Sequence, residues 1–194
     1  MVMVDDGAIG ALAARHLVGL GHRRIVHYTY DDYVDRIDPG RNRDARDRWE
    51  GCARALREAG LEAAVATFPT GRYFPLTHGC APGAVEGAAG LLDHPARFTA
   101  AVCFNDYVAL GLMRGARSRG LRVPEDLSVV GYDDLDLSRA SDPPLTTLAA
   151  PVRRIGQEAA GRILDLIEGK SISDRIFQPE LIVRASTGRP SGKR

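Results

Sequence analysis

The sequence lacks the features that are typical of membrane proteins, of disulfide-bonded proteins and of nucleic-acid-binding proteins. No apolar run approaches the ~20 residues of a membrane-spanning helix, so no membrane partner is expected. The three cysteines are odd in number and scattered, and Cys52 and Cys103 lie in apolar patterns that predict reduced core residues. The net charge of +1 gives no global sign of nucleic acid or of a membrane surface. No signal peptide precedes the strand-like residues 2–4, so the cytoplasm is the default location.

Motifs for catalysis and for cofactors are also missing. There is no G-x-S-x-G elbow, no G-x-x-x-x-G-K-[ST] loop and no G-x-G-x-x-G turn. Gly169-Lys170-Ser171 resembles the end of a phosphate loop, but Leu164 stands where the first glycine is needed, so a helix C-cap is the better interpretation. The five histidines have no metal-ligand spacing, and His16 is predicted to be a satisfied, partly buried residue. We therefore expect no enzyme, no catalytic residue, no metal and no cofactor.

What the sequence does contain is a regular alternation of strand and helix patterns. This alternation predicts an α/β fold with a mostly parallel sheet. Strands are predicted at 2–4, 24–29, 63–68, 101–106, 127–134 and 176–184, the last with Pro179 at an edge or a bulge. Helices are predicted near 9–20, 49–60, 85–92, 107–119 and 152–167, with loops at 30–48 and 70–83.

Two neighbouring strands end in polar side chains. The first ends at Asn105 and Asp106, the second at Asp133 and Asp134, and the helix between them requires the strands to be parallel. Parallel strands present their carboxyl ends at one edge, where open α/β sheets bind ligands. Asp106 is expected to cap the following helix, whereas Asn105 could contact a ligand or serve the turn, and Asp133 could contact a ligand or remain a solvated acid. Asp133 and Asp134 should diverge as neighbours on a strand, so they are not expected to cooperate as acid and base.

Several blocks, in this order and at this spacing, resemble the LacI/GalR family of bacterial repressors. They are His16-Leu17-x-x-Leu20-Gly21-His22-Arg23-Arg24-Ile25, Arg48-x-x-Gly51, Asn105-Asp106-x-x-Ala109-x-Gly111, Gly120-Leu121-Arg122-Val123-Pro124-Glu125-Asp126, Val129-Val130-Gly131-Tyr132-Asp133-Asp134 and Pro143-Pro144-Leu145-Thr146-Thr147. Together they span most of the chain.

The resemblance implies a three-layer αβα fold of the type I periplasmic-binding-protein kind, with one subdomain nearly complete and one partial. Residues 1–20 would be the tail of the amino-terminal subdomain and 21–148 the carboxyl-terminal effector-binding subdomain. Residues 149–172 would form a helix that returns to the first subdomain, and 173–194 a final strand that crosses back, followed by the tail. The helix-turn-helix and the first part of the amino-terminal subdomain, which the family normally has, are missing from these residues.

The resemblance also implies what the chain binds. Arg48, Asn105 and Asp133, together with Asp5 and Tyr73, are the expected contacts of a small polar effector, a sugar or a nucleoside-like molecule. Operator DNA would be bound only by the full-length protein, acting as a homodimer. Leu110 lies off the apolar stripe of the helix at 107–119, and with Ser141, in the loop 138–142, it is the expected dimer contact.

The favoured function is therefore the effector-binding and dimerisation part of a transcriptional regulator, a repressor that senses a sugar and controls DNA binding allosterically. The alternative is the sugar-binding solute-binding protein of an ABC transporter, which shares the fold and the ligand chemistry. The Pro-Pro-Leu-Thr-Thr block and the Val-Pro-Glu-Asp block favour the regulator. An enzyme on an α/β sheet would need a nucleophile or a cofactor motif.

Overall fold

The computed structural model describes residues 1–30, 43–68, 76 and 79–191. Strands and helices alternate through these residues, as the sequence predicted. The strands are β1 (Val2–Val4), β2 (Ile25–Tyr30), β3 (Ala64–Phe68), β4 (Ala100–Cys103), β5 (Ser128–Tyr132), β6 (Thr146–Ala149), β7 (Arg175–Phe177) and β8 (Glu180–Ile182). The helices are α1 (Asp6–Gly19), α2 (Arg43–Glu58), α3 (Pro82–Leu92), α4 (Asp106–Ser118), α5 (Asp136–Ala140) and α6 (Val152–Ile167).

Among the described residues, six strands form one sheet in the order β3-β2-β4-β5-β6-β8. The first five are parallel, and β8 pairs antiparallel with β6 at the edge. The inner strands β4 and β5 are buried along their whole length, as expected of a parallel sheet covered on both faces. This confirms the α/β class and the mostly parallel sheet.

Helices cover both faces of this sheet, which gives the predicted three layers. On one face Val26 and Tyr28 of β2 pack with residues of α3 and α4 such as Ala84 and Leu112. The Tyr28 hydroxyl donates to the carbonyl oxygen of Ala84 at 2.9 Å, so the largest buried side chain also satisfies its polar atom. On the other face Ile25 packs with α1 and α2, in a separate cluster. The core is therefore split into two apolar layers by the sheet.

Helices α1 and α2 cross with their backbones in contact. A Cβ on Gly10 would lie 1.8 Å from the carbonyl oxygen of Arg48, and one on Gly51 would lie 2.0 Å from that of Gly7. Only glycine fits at both positions, because any other side chain would occupy the space of the opposing backbone. This crossing fixes where the second turn of α2, and with it Arg48, stands relative to α1.

A second, smaller sheet pairs β1 with β7 in parallel, and α6 contacts β1. No residue of α6 is buried, and its apolar side chains Ile163, Leu164 and Ile167 are 58%, 60% and 76% exposed. In the first twenty residues β1 belongs to this small sheet, whereas α1 packs on the six-stranded one. The division of the chain into domains stays a prediction.

Two predictions of local structure were wrong, and two short elements were missed. The single final strand at 176–184 is two strands, β7 and β8, in different sheets, because β7 pairs with β1 and β8 pairs with β6. The loop predicted to reach residue 48 ends earlier, since α2 begins at Arg43. Helix α5 and strand β6 were not predicted at all. No helix among the described ranges is both long enough and apolar enough to cross a membrane.

Candidate functional site

Arg48 is the centre of the polar cluster at the carboxyl edge of the six-stranded sheet. It lies in α2, is only 8% exposed, and its guanidinium carbon is 4.7 Å from the centroid of the Phe104 ring and 4.2 Å from that of Tyr132. Phe104 follows β4 and Tyr132 ends β5, so the two rings belong to the two strands that the sequence singled out. Cation–π contacts with both rings hold the guanidinium between the ends of these strands.

The hydrogen bonds of Arg48 fix its orientation further. Its Nε donates to Asp6 Oδ1 at 2.8 Å, and its Nη1 donates to the carbonyl oxygen of Phe104 at 3.1 Å. Its Nη2 lies 3.8 Å from Asp44 Oδ2, one helical turn back on α2. Burial raises the pKa of Asp6 more than Arg48 lowers it. Arg48 is thus an interior cation with acidic neighbours.

The residue that caps the helix after β4 differs from the one that the sequence predicted. Asn105 is the N-cap of α4, because its Oδ1 accepts from the backbone N–H of Val108 at 3.1 Å. The prediction that Asp106 caps this helix was wrong. Asn105 is 7% exposed and follows Phe104, whose carbonyl oxygen accepts a hydrogen bond from Arg48. Its contact with an effector stays a prediction.

Asp106 joins three segments that are distant in sequence. It is fully buried, and its carboxylate accepts from the hydroxyls of Ser138 at 2.5 Å and Thr147 at 2.6 Å and from the backbone N–H of Leu135 at 3.0 Å. Burial raises the pKa of Asp106, although these three donors act to lower it. The network ties the start of α4 to β6 and to the loop that follows β5. That loop carries Asp133.

Asp133 comes directly after Tyr132, the residue on whose ring Arg48 stacks. Its backbone has a φ of 119°, and Asp134 follows with a φ of 53°, so the chain leaves β5 through two left-handed residues. Solvent reaches Asp133, but the surrounding protein desolvates its carboxyl and raises its pKa to about 7. Arg48 opposes this rise, whereas Asp106, Asp44 and Asp6 add to it. The carboxyl therefore titrates near neutral pH.

Asp134 diverges from Asp133, as predicted, although both residues lie beyond the strand. Its Oδ2 accepts from Arg139 at 2.6 Å and its Oδ1 from Arg184. Burial acts to raise its pKa, but these hydrogen bonds hold the pKa below the ordinary value. Asp134 is a structural acid, whereas the contact of Asp133 with an effector stays a prediction.

The other two predicted effector contacts are less informative. Asp5 is the N-cap of α1: its Oδ1 accepts from Ala8 at 2.9 Å, and its Oδ2 accepts from Gln178 at 3.3 Å. It lies at the end of β1, in the small sheet, and its contact with an effector stays a prediction. Tyr73 lies outside the described residues.

Sequence reasoning missed a buried polar pair on β2. His27 and Thr29 are 1% and 2% exposed, and neither ring nitrogen of His27 nor the Thr29 hydroxyl has a hydrogen-bond partner. Burial, with a smaller contribution from Arg48, lowers the pKa of His27 to about 3. The His27 ring packs against Trp49, with 5.6 Å between centroids. Alternation of polar and apolar side chains is typical of a strand with one face in solvent, so the local pattern gave no signal that His27 and Thr29 are buried.

The two predicted dimer contacts line one groove. The groove has a volume of about 250 Å³ and lies between α4 and α5, with Leu110, Met113, Leu137 and Ser141 among its walls. Leu137 is 46% exposed there, and Ser141 is held by hydrogen bonds from its hydroxyl to the carbonyl oxygens of Ser138 and Pro143. The structure therefore brings Leu110 and Ser141 together on one surface.

Comparison with known proteins points to a single family. Residues 14–187 match the family described as a periplasmic binding protein-like domain. The chain is 38% identical over 193 residues to the HTH-type transcriptional regulator MalR of Streptomyces coelicolor, covering 98% of this chain and 52% of that protein. It is 37% identical over 191 residues to an arabinose metabolism transcriptional repressor of Geobacillus stearothermophilus, covering 96% of this chain and 49% of that protein. The chain spans about half the length of these curated relatives.

Solved structures agree with this assignment. A LacI family transcriptional regulator from Enterococcus faecium, crystallised with bound ribose, matches with a TM-score of 0.80 at 28% sequence identity. The match covers 96% of this chain and 64% of that one. The same fold thus holds a sugar in a protein described as a transcriptional regulator.

Proposed function

Because this chain belongs to the periplasmic binding protein-like domain family, within its LacI/GalR group, we propose that it is the effector-binding part of a transcriptional regulator. In this proposal it senses a small polar metabolite, a sugar, and passes the binding event to a DNA-binding segment. The named relatives are transcriptional regulators, which favours this role over a transporter component and over an enzyme. A regulator of this kind acts in the cytoplasm, where the DNA is.

One observation carries the proposal: Arg48 is held on Phe104 and Tyr132, the residues immediately before Asn105 and Asp133. This arrangement supports a shared site for Arg48, Asn105 and Asp133 at the carboxyl edge of a parallel sheet, where such folds bind ligands. Together they offer both hydrogen-bond donors and hydrogen-bond acceptors, which suits the hydroxyls of a sugar.

The whole regulator would bind operator DNA as a homodimer. The two copies would associate through the groove that Leu110 and Ser141 line. The 194 residues alone are expected to show no sequence-specific DNA affinity, because their net charge of +1 offers no phosphate-binding stripe. The relatives whose names include the HTH-type description are about twice as long.

Isothermal titration calorimetry tests the effector site. The 194-residue chain would be titrated with ribose, arabinose, maltose and cellobiose, and with adenosine to represent nucleosides. At least one should bind saturably, and Asp133→Ala should weaken that ligand about 10-fold or more, the loss of one buried hydrogen-bond partner. Asp165→Asn, in α6, where the carboxylate pairs with Lys170 at 3.1 Å, is the matched control and should bind like the wild type. Absence of binding by every ligand, or binding that Asp133→Ala leaves unchanged, would contradict the proposal.

A further inference from the structure

We propose that a cleft between α6 and β7 is a second ligand site, which binds the phosphate group of a small phosphorylated compound. The cleft has a volume of about 400 Å³, within the range of small-molecule sites. Its walls belong to α6 and the small sheet, whereas Arg48, Asn105 and Asp133 belong to the edge of the six-stranded sheet. The inference therefore goes beyond the proposed function and does not depend on it.

One wall of the cleft is a single stripe of α6, and the other is one face of β7. Residues three, four and seven positions apart share a side of a helix, and this spacing relates the α6 residues of the wall, which are Arg154, Gln157, Glu158, Gly161, Arg162 and Asp165. Arg175 and Phe177, two positions apart on β7, form the facing wall. A Cβ on Gly161 would meet nothing within 4 Å, so the middle of the cleft is open.

Two guanidinium groups are held near one aromatic ring in this cleft. The central carbons (Cζ) of Arg154 and Arg175 lie 5.6 and 5.8 Å from the centroid of the Phe177 ring, which is buried. A cation–π contact of this kind positions a guanidinium but leaves its N–H donors available, because the ring offers no oxygen to accept them. Neither side chain has an acidic partner or a hydrogen bond within the part of the chain that the structure describes.

Arg162 adds a third guanidinium, which the chain itself fixes in place. Its Nε donates to Glu158 Oε1 at 2.8 Å, and its Nη1 donates to the carbonyl oxygen of Ser173. The side chain is mostly buried as a result. Nη2 bonds to none of the described residues, so one edge of this rigid group can still donate to a ligand.

The charges in the cleft are not balanced. Glu158 is engaged by the neighbouring guanidinium, and Asp165, the other acid of the helical wall, pairs with Lys170 at 3.1 Å. Arg154 and Arg175 are therefore two like charges beside one ring, with no acid among the described residues to compensate them. Like charges held close together repel, and an anion that binds both removes the repulsion. A doubly charged anion matches two such cations.

A phosphate monoester fits these donors better than a carboxylate or a neutral ligand. It carries about two negative charges at pH 7, and guanidinium groups bind its oxygens through paired N–H bonds. The rest of the ligand would lie over Gly161, where Gln157 can donate and accept hydrogen bonds and Glu158 can accept from a hydroxyl. The cleft therefore favours a small phosphate ester that also carries hydroxyl groups.

Calorimetry with glycerol 3-phosphate, the probe chosen because it is small and carries both groups, tests the inference. The 194-residue chain would be titrated at constant ionic strength with this ester, with glycerol and with inorganic sulfate. We expect the ester to bind saturably, with a Kd on the order of 1 mM or lower, and glycerol not to bind. Sulfate should bind about 5-fold more weakly than the ester or worse, because it has the charge but no hydroxyl.

Two pairs of variants of α6 locate the binding. Arg154→Gln should weaken the ester about 10-fold, the loss of one paired set of charged hydrogen bonds. Arg153→Gln removes the same charge from the adjacent, exposed residue, which does not line the cleft, and should bind like the wild type. Gly161→Leu fills the middle of the cleft without changing the charge and should abolish binding. Gly156→Leu makes the same change where α6 is open to solvent and should leave binding intact.

Each contrary result overturns the inference once circular dichroism shows that the chain is folded. Failure of the ester to bind the wild type removes the site. Equal losses in Arg153→Gln and Arg154→Gln would mean that net charge alone attracts the anion. Sulfate that binds as tightly as the ester would mean an adventitious ion only. Binding that survives Gly161→Leu would place the phosphate outside the cleft.

Discussion

Arg184 and Asp134 form an ion pair across fifty residues of sequence, with side chains 15% and 10% exposed. Arg184 follows β8, and its Nη1 also donates to the carbonyl oxygen of Leu145 at 2.8 Å. Asp134 is the second of the two left-handed residues that end β5, and its carboxylate is shared with Arg139. The segment that leads from β7 through β8 to Arg184 is thus bonded to the loop that carries Asp133.

Removal of Arg184 should cost more stability than removal of Arg139, the exposed second partner of Asp134. Arg184→Gln leaves a mostly buried carboxylate with one partner fewer, and we expect a loss of about 2 kcal/mol in the free energy of unfolding. Arg139→Gln, whose side chain is 60% exposed, is the matched control and should change stability little. Urea unfolding at pH 7.5 measures both. If both substitutions lowered the free energy of unfolding equally, burial would not determine how much each ion pair contributes to stability.

The crossing of α1 and α2 makes a second prediction. Gly51→Ala places a methyl group 2.0 Å from the carbonyl oxygen of Gly7, so the two helices must move apart. We expect the free energy of unfolding to fall by about 3 kcal/mol. Gly156→Ala, in the exposed helix α6 with open space around it, should instead gain about 0.5–1 kcal/mol from helix propensity. Thermal unfolding followed by circular dichroism distinguishes the two signs. A neutral Gly51→Ala would show that the crossing tolerates a wider spacing.

The sequence predicted the α/β class, the mostly parallel sheet and the edge shared by the polar ends of two strands, because these depend on patterns within ten to twenty residues. The ends of β4 and β5 carry polar residues after apolar runs, and this pattern alone indicated that Asn105 and Asp133 share an edge. The resemblance to known regulators added Arg48, whose place in the second turn of α2 no periodicity identified.

The predictions that failed depended on distant contacts. Asp106 was expected to cap α4, but it is drawn inward by Ser138 and Thr147, which lie 32 and 41 residues away. Strand β6 has only four residues after two prolines, and its pairing with β5 and β8 is what makes it a strand. The separation of β7 from β8 at Pro179 follows from two different partner strands. None of these partners can be read from the local pattern.

The buried pair on β2 gives a prediction with a defined pH dependence. The folded protein keeps His27 neutral down to a pKa of about 3, whereas the unfolded chain takes up a proton near the ordinary value of 6.5. The unfolded state therefore binds more protons between these values, and the wild type loses stability as the pH falls from about 6.5 towards 3. A substitution that removes the titration should remove this loss.

His27→Leu should accordingly stabilise the protein, and more so in acid. We expect a gain of about 1–2 kcal/mol at pH 8 from the unpartnered ring nitrogens, growing by up to about 1.4 kcal/mol for each pH unit below 6. Thr29→Val is the matched control, because it removes a buried unpartnered hydroxyl that does not titrate. Its gain should be the same at pH 8 and pH 5. Urea unfolding at both pH values gives the comparison, and a gain for His27→Leu that does not grow in acid contradicts the burial of a neutral ring.

The groove between α4 and α5 predicts how the chain associates. Leu110, Met113 and Leu137 give it apolar walls, and a second copy of this chain would cover them about a two-fold axis. Leu110→Asp would bury a charge without a partner in that interface, and it should convert a dimer into a monomer at micromolar concentrations. Light scattering coupled to size-exclusion chromatography measures the mass directly.

The control must come from the other exposed apolar surface, because α6 also leaves leucines open to solvent. Leu164 is 60% exposed and lies outside the groove, so Leu164→Asp makes the same chemical change without touching the predicted interface. It should leave the dimer intact if the groove is the contact. A wild-type monomer, or a dimer that survives Leu110→Asp, contradicts the groove interface. A dimer lost through Leu164→Asp alone would assign association to α6, since only that face would then respond to a charge.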